Sequence, residues 1–129
     1  MINVGEFDMK DGVRQSMEWT KNIDFPERPA FDSQARSAYA YPGDDKTMQN
    51  GGLFRSAGNF TLMITPKAGH MVPFAQTGLT QKYVTDYLKY GELRCGGKAC
   101  DTVAADMCDF MNNCNGHGTC SKDTGECSC

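Results

Sequence analysis

All seven cysteines of this chain lie between Cys95 and Cys129, and the first 94 residues contain none. That asymmetry imposes two kinds of folding on one polypeptide. The cysteine-free stretch must hold itself together by burying apolar side chains, and it is long enough to do so. The tail is too short for a core of its own and is expected to be stapled by disulfides. Cysteine this dense points to an oxidising compartment. The sequon Asn59-Phe60-Thr61, a candidate glycosylation site at Asn59, agrees with a secretory route.

Bulk properties exclude several classes. With 40% hydrophobic and 22% charged residues the chain is ordered. The net charge is -3, the pI is about 5.3, and the basic residues are scattered, so nucleic acid is not expected as a partner. No run of about 18 apolar residues encodes a transmembrane helix. Met1 to Gly5 shows neither the basic region nor the apolar stretch of a signal peptide. For a protein of the secretory route, the simplest expectation is a sequence incomplete at its N-terminus.

Ile2 to Val4 reads as the end of a buried strand that stops at Gly5. Asp11 is expected to cap a helix over about 12–21, with Val13, Met17 and Thr20 on one face and Trp19 beside it. Pro26 and Pro29 close that unit. Residues 26–52 are irregular and polar with room for hairpin structure; Pro42-Gly43-Asp44-Asp45 and Gly51-Gly52 read as turns. Phe60 to Thr65 is the strongest strand, and Pro66 ends it. Residues 67–73 are expected as a loop. A second helix is expected over about 77–89, with Leu79, Tyr83, Val84, Tyr87 and Leu88 as its apolar face and Gly91 as its C-cap. This order is the tail of an α/β fold.

His70 stands on the loop between the strong strand and the last helix, and Asp8 also follows a strand and precedes a helix. If the two strands share a sheet, both side chains emerge at one edge. An Asp that accepts from one ring nitrogen fixes the tautomer of a His and leaves the other nitrogen free as a base.

The residues around His70, Ala68-Gly69-His70-Met71-Val72-Pro73, closely resemble the histidine motif of the serine carboxypeptidase family. Gly5-Glu6-Phe7-Asp8 resembles the family's aspartate motif, and Trp19 stands where the family often has tryptophan. The resemblance covers about residues 2–90. It implies the C-terminal fragment of an α/β-hydrolase fold, with His70 as general base and then general acid, Asp8 orienting it, and Met71 lining the substrate pocket. It implies peptide or protein substrates that lose C-terminal residues through an acyl-enzyme, no metal or organic cofactor, and a vacuolar, lysosomal or extracellular setting.

The chain also departs from the family. The Asn-x-x-Gly pattern that usually follows the aspartate, associated with the substrate's terminal carboxylate, reads Gly12 and Gln15 here. Phe74 follows the proline where a polar residue is usual. None of Ser16, Ser33, Ser37, Ser56, Ser121 and Ser128 lies in a Gly-x-Ser-x-Gly elbow. The nucleophile is therefore expected in a missing N-terminal part of the same enzyme, and this stretch alone is expected to be inactive.

In the tail, Asn115-Gly116-His117-Gly118-Thr119-Cys120 and Thr124-Gly125-Glu126-Cys127-Ser128-Cys129 resemble EGF-like modules. The resemblance implies pairing of Cys108 with Cys120 and of Cys114 with Cys127, a partner for Cys129 beyond the chain, and extracellular protein contacts. It leaves Cys95 and Cys100 for a separate bridge. A zinc site would favour paired C-x2-C knuckles, which are absent. The expected organisation is residues 1–92 as the C-terminal part of a carboxypeptidase-like domain, 93–107 as a linker and 108–129 as an incomplete EGF-like module. Two other functions remain open: a non-catalytic extracellular scaffold or adhesion protein reusing the fold, and a carboxypeptidase-like acyltransferase.

Overall fold

A computed structural model describes residues 1–43, 48–95, 97–100, 108, 114, 116–121 and 127–128, with Lys98, Ala99 and Cys127 described by their backbone. The strand β1 (Ile2–Gly5) is followed by helices α1 (Val13–Thr20) and α2 (Arg28–Ser33). Strands β2 (Ser37–Pro42), β3 (Met48–Ala57) and β4 (Phe60–Thr65) come next, then helices α3 (Val72–Ala75) and α4 (Thr77–Tyr90). The short strands β5 (Arg94–Cys95) and β6 (Lys98–Ala99) form one small ribbon, and β7 (Thr119–Cys120) and β8 (Cys127–Ser128) another. Among the described residues no helix is long and apolar enough to cross a membrane.

The four long strands form one mixed sheet in the order β1-β4-β3-β2. β1 and β4 run parallel, with Ile2 opposite Leu62 and Gly5 opposite Thr65, while β3 is antiparallel to both β4 and β2. β4 reads as an unbroken apolar run because both its faces are covered. Leu62 and Ile64 join Val4 and Phe31 on one face, where Val13 and Met17 of α1 also pack. Met63 points to the other face, into a core with Tyr39, Leu79 and Tyr83. Phe25, Phe31 and Phe60 meet as a ring trio, with centroids 4.6–5.8 Å apart, and this pins the connection between α1 and α2 to the sheet.

Several expectations change. Residues 26–52, read as irregular with room for hairpin structure, hold α2, β2 and the first half of β3, and β2 and β3 pair as an antiparallel hairpin. Gly51-Gly52 is not a turn but lies inside β3 at a bulge, where the register moves between Tyr39↔Gly52 and Ala40↔Asn50. Gly52 has φ +117, and a Cβ there would lie 2.0 Å from the Ile64 carbonyl oxygen, so two glycines serve the bulge rather than a hairpin loop. Asp11 makes no cap; Gly12 is the N-cap of α1 without a side-chain bond. The expected loop after β4 contains the short α3.

The buried face of α4 also differs from the expected one. Leu79, Tyr83 and Asp86 are buried, whereas Val84 is 37% and Leu88 82% exposed. Gly91 closes the helix in the left-handed conformation. The packing continues past it, because Leu93, Cys95 and Cys100 are buried in the same core as Tyr39 and Tyr83. The Ala40 amide donates to Cys95 Sγ at 3.2 Å, which ties this segment to β2.

The Asp86 carboxylate is held inside by two partners. Lys82 Nζ donates to one oxygen at 2.6 Å and the Tyr39 hydroxyl to the other at 3.0 Å. Burial, and then the charge of Asp86, push the Tyr39 phenol upward, so it remains a donor. Tyr39→Phe leaves a buried carboxylate oxygen without its donor, and we expect a loss of about 1–3 kcal/mol, read as a lower urea midpoint with an unchanged slope.

Candidate functional site

The ends of the two parallel strands are bound to each other, and this positions the site. Beyond β1, the Glu6 amide donates to the Thr65 carbonyl and the Phe7 amide to the Ala68 carbonyl, both at 2.9 Å. The Lys67 amide returns a bond to Glu6 Oε2 at 3.2 Å. A Cβ on Gly5 would sit 2.3 Å from the Gly69 carbonyl oxygen and 2.4 Å from that of Ala68, so only glycine lets the loops approach this closely. Beneath them, Thr65 Oγ1 donates to Asn3 Oδ1 at 2.7 Å, Asn3 Nδ2 donates to the Tyr83 hydroxyl, and that hydroxyl donates to Thr80 Oγ1 at 3.1 Å. One polar chain thus joins β4, β1 and α4.

Just past this junction, the Asp8 side chain is 5% exposed while the neighbouring His70 side chain is 50% exposed. Asp8 Oδ1 accepts the backbone amides of Lys10 at 2.9 Å and Asp11 at 3.1 Å. Its other oxygen, Oδ2, lies 3.0 Å from His70 Nδ1. A nitrogen facing a carboxylate at this distance carries the proton, so Nδ1 donates, and the neutral form of the ring has its lone pair on Nε2. The Asp11 amide, together with His70 and the Lys10 amide, holds the Asp8 carboxyl below its ordinary value against the opposing effect of desolvation.

Sequence reading missed the place of Asp11. Taken for a helix cap, it instead directs its carboxylate at the same ring, with Oδ2 3.6 Å from His70 Nδ1. Its position three residues after Asp8, in a turn folded around the Asp8 carboxylate, is the signal that was available. The clamp made by Gly5 and Glu6 was equally unread. A groove of about 300 Å³ opens beside the pair, lined in part by Asn3, Gln15, Ser16 and Trp19. Ser16 is not poised as a nucleophile there, since it is 4% exposed and its hydroxyl donates to the Asp11 carbonyl at 3.0 Å. Met71, 66% exposed, follows His70 as the N-cap of α3.

The other named residues lie away from this edge. Asn59 is exposed in the two-residue turn between β3 and β4, while Thr61 of the same sequon is 1% exposed with its hydroxyl 2.7 Å from that of Ser56. Disulfides join Cys95 to Cys100 and Cys108 to Cys120. Cys114 is disulfide-bonded as well, and the side chain of Cys127, its expected partner, lies outside the described residues, as does Cys129. The backbone of Cys127 pairs with that of Cys120 in the last ribbon.

Residues 1–90 match the family described as Serine carboxypeptidase. A curated relative, Carboxypeptidase Y homolog A of Pyrenophora tritici-repentis (strain Pt-1C-BFP), is 29% identical over 91 residues, which are 70% of this chain and 16% of the relative. The chain therefore spans about 16% of the length of that relative.

The lowered Asp8 value has a defined sign. A carboxyl depressed in the folded state stabilises above its unfolded value, near 3.8, and that contribution is lost as pH falls through the folded value. Thermal unfolding between pH 6 and pH 2 should show this loss below about pH 4. Asp8→Asn should flatten that part of the profile, and an unchanged acid limb would count against the assigned environment.

Proposed function

Because this chain belongs to the serine carboxypeptidase family, we propose that it is the C-terminal portion of a serine-type carboxypeptidase, supplying His70 and Asp8 to a Ser-Asp-His triad. The observation behind this reading is the 3.0 Å contact between Asp8 Oδ2 and His70 Nδ1, on a ring exposed enough for Nε2 to reach substrate. Nε2 takes the proton of a serine hydroxyl as the serine oxygen attacks the last peptide carbonyl. The imidazolium then gives that proton to the departing amine, leaving an acyl-enzyme. In the second half Nε2 takes a proton from water as the water oxygen attacks the acyl carbonyl, then gives it to the serine oxygen as the acyl–serine bond breaks and the acid is released. Asp8 stays ionised throughout, as its lowered value favours. Met71 lines the pocket next to the reacting carbonyl.

The nucleophilic serine and the donors for the oxyanion come from sequence outside these 129 residues, and this stretch alone does not hydrolyse peptides. In the serine-containing enzyme, release of C-terminal amino acids at acidic pH should fall by at least about a thousandfold in His70→Ala, as for loss of other triad bases. Retention of that release would refute the base assignment. An acyltransferase would pass the same acyl group to an acceptor other than water, and product analysis with a competing alcohol or amine separates the two.

The disulfide-bonded tail supports a second component of the reading. We assign 108–129 to an EGF-like module that serves extracellular protein contacts, in a protein of the secretory route that is glycosylated at Asn59. A non-catalytic scaffold would keep this tail and lack the serine. Peptide mapping without reductant should recover Cys114 linked to Cys127, and free thiols at these positions would rule out the module.

A further inference from the structure

Among the described residues, Asp8, Asp11 and His70 form a group whose ligand atoms all lie within 4.8 Å of one another. We propose that these three side chains form a binding site for a divalent zinc-class cation, which switches off His70 as a base. The distances favour this chemistry. Bonds of about 2.0–2.2 Å to a tetrahedral ion place neighbouring ligand atoms about 3.3–3.6 Å apart. His70 Nδ1 lies 3.0 Å from Asp8 Oδ2, a little under that span, and 3.6 Å from Asp11 Oδ2, at its upper end. Asp11 is 64% and His70 50% exposed, so both side chains have room to turn toward a shared centre.

The donor set selects the ion. One imidazole nitrogen and two carboxylate oxygens suit zinc, whereas calcium takes six to eight oxygens and magnesium keeps most of its waters. Charge also agrees, because two carboxylates directed at one ring nitrogen are balanced by a dication. Asp8 Oδ1 remains bound by the amides of Lys10 and Asp11, which orients the ligating oxygen from behind. The groove of about 300 Å³ beside the site leaves room for a water as fourth ligand.

Occupancy and base catalysis exclude each other. A neutral imidazole carries one proton, which stands on Nδ1 while that atom donates to Asp8. A cation at Nδ1 requires its lone pair, so the proton moves to Nε2 and no proton is released. Nε2–H cannot accept the serine proton. The cation site depends only on the geometry described above, whereas the loss of activity rests on the proposed peptidase reading.

Zinc chloride titrated into the chain at pH 7, followed by calorimetry and by the His70 ring resonances, should show one ion bound with Nε2 protonated in the bound form. Asp11→Asn should weaken binding at least about tenfold, His70→Gln should abolish it, and magnesium at equal concentration should not compete. A His70 ring unmoved by zinc, or an Asp11→Asn affinity equal to the parent, would overturn the site. In the serine-containing enzyme, zinc should inhibit peptide release, with a midpoint shifted at least about tenfold by Asp11→Asn relative to that variant's own metal-free rate. Zinc bound at His70 without inhibition would overturn the switch while leaving the site.

Discussion

The parallel pairing of β1 with β4 is the constraint on which the rest of the structure depends. Asp8 and His70 are 62 residues apart, and neither local turn chemistry nor helix propensity can bring them together. Two strands leaving the sheet in the same direction can, provided their following loops do not diverge. The amides of Glu6 and Phe7 prevent that divergence by continuing the ladder onto Thr65 and Ala68, and the absent side chain of Gly5 gives the loops their spacing.

Both faces of the sheet reinforce this pairing. α1, α2 and the ring trio cover Leu62 and Ile64, while α4 covers Met63. β4 can therefore not slip by one residue without exchanging the cores it faces. The polar chain from Thr65 through Asn3 to Tyr83 and Thr80 adds direction to that packing, since each group needs its neighbour at one register. The mixed sheet with flanking helices fits the tail of the α/β-hydrolase fold that serine carboxypeptidase membership implies.

What sequence alone disclosed follows from how local each signal is. Phe60 to Thr65 is apolar, β-prone and stopped by proline, and it is a strand over the same residues. The α4 span and its Gly91 cap were legible for the same reason. β2 and β3 were legible only as room for hairpin structure, because a bulge uses the two glycines that a turn would use, and only the cross-strand partner distinguishes them. The face of α4 was misjudged because hydropathy cannot foresee that Tyr39 and Lys82 keep the Asp86 carboxylate inside. At the site, the residue types at 8 and 70 were readable. The approach of Asp11 to the ring was not, since it arises from the turn around the Asp8 carboxylate.

Thr61 carries a consequence for timing. The glycosylation sequon needs its threonine hydroxyl as well as its asparagine, yet in the finished sheet that hydroxyl faces Ser56 in a residue almost without access to solvent. Asn59 remains outside and Thr61 does not. A transferase that must grip both can act only while β4 is still unpaired, during or soon after synthesis. Occupancy at Asn59 would therefore act as a stopwatch on strand assembly: slow-folding variants would carry the sugar more often, and chains whose β3–β4 hairpin closes early would escape it.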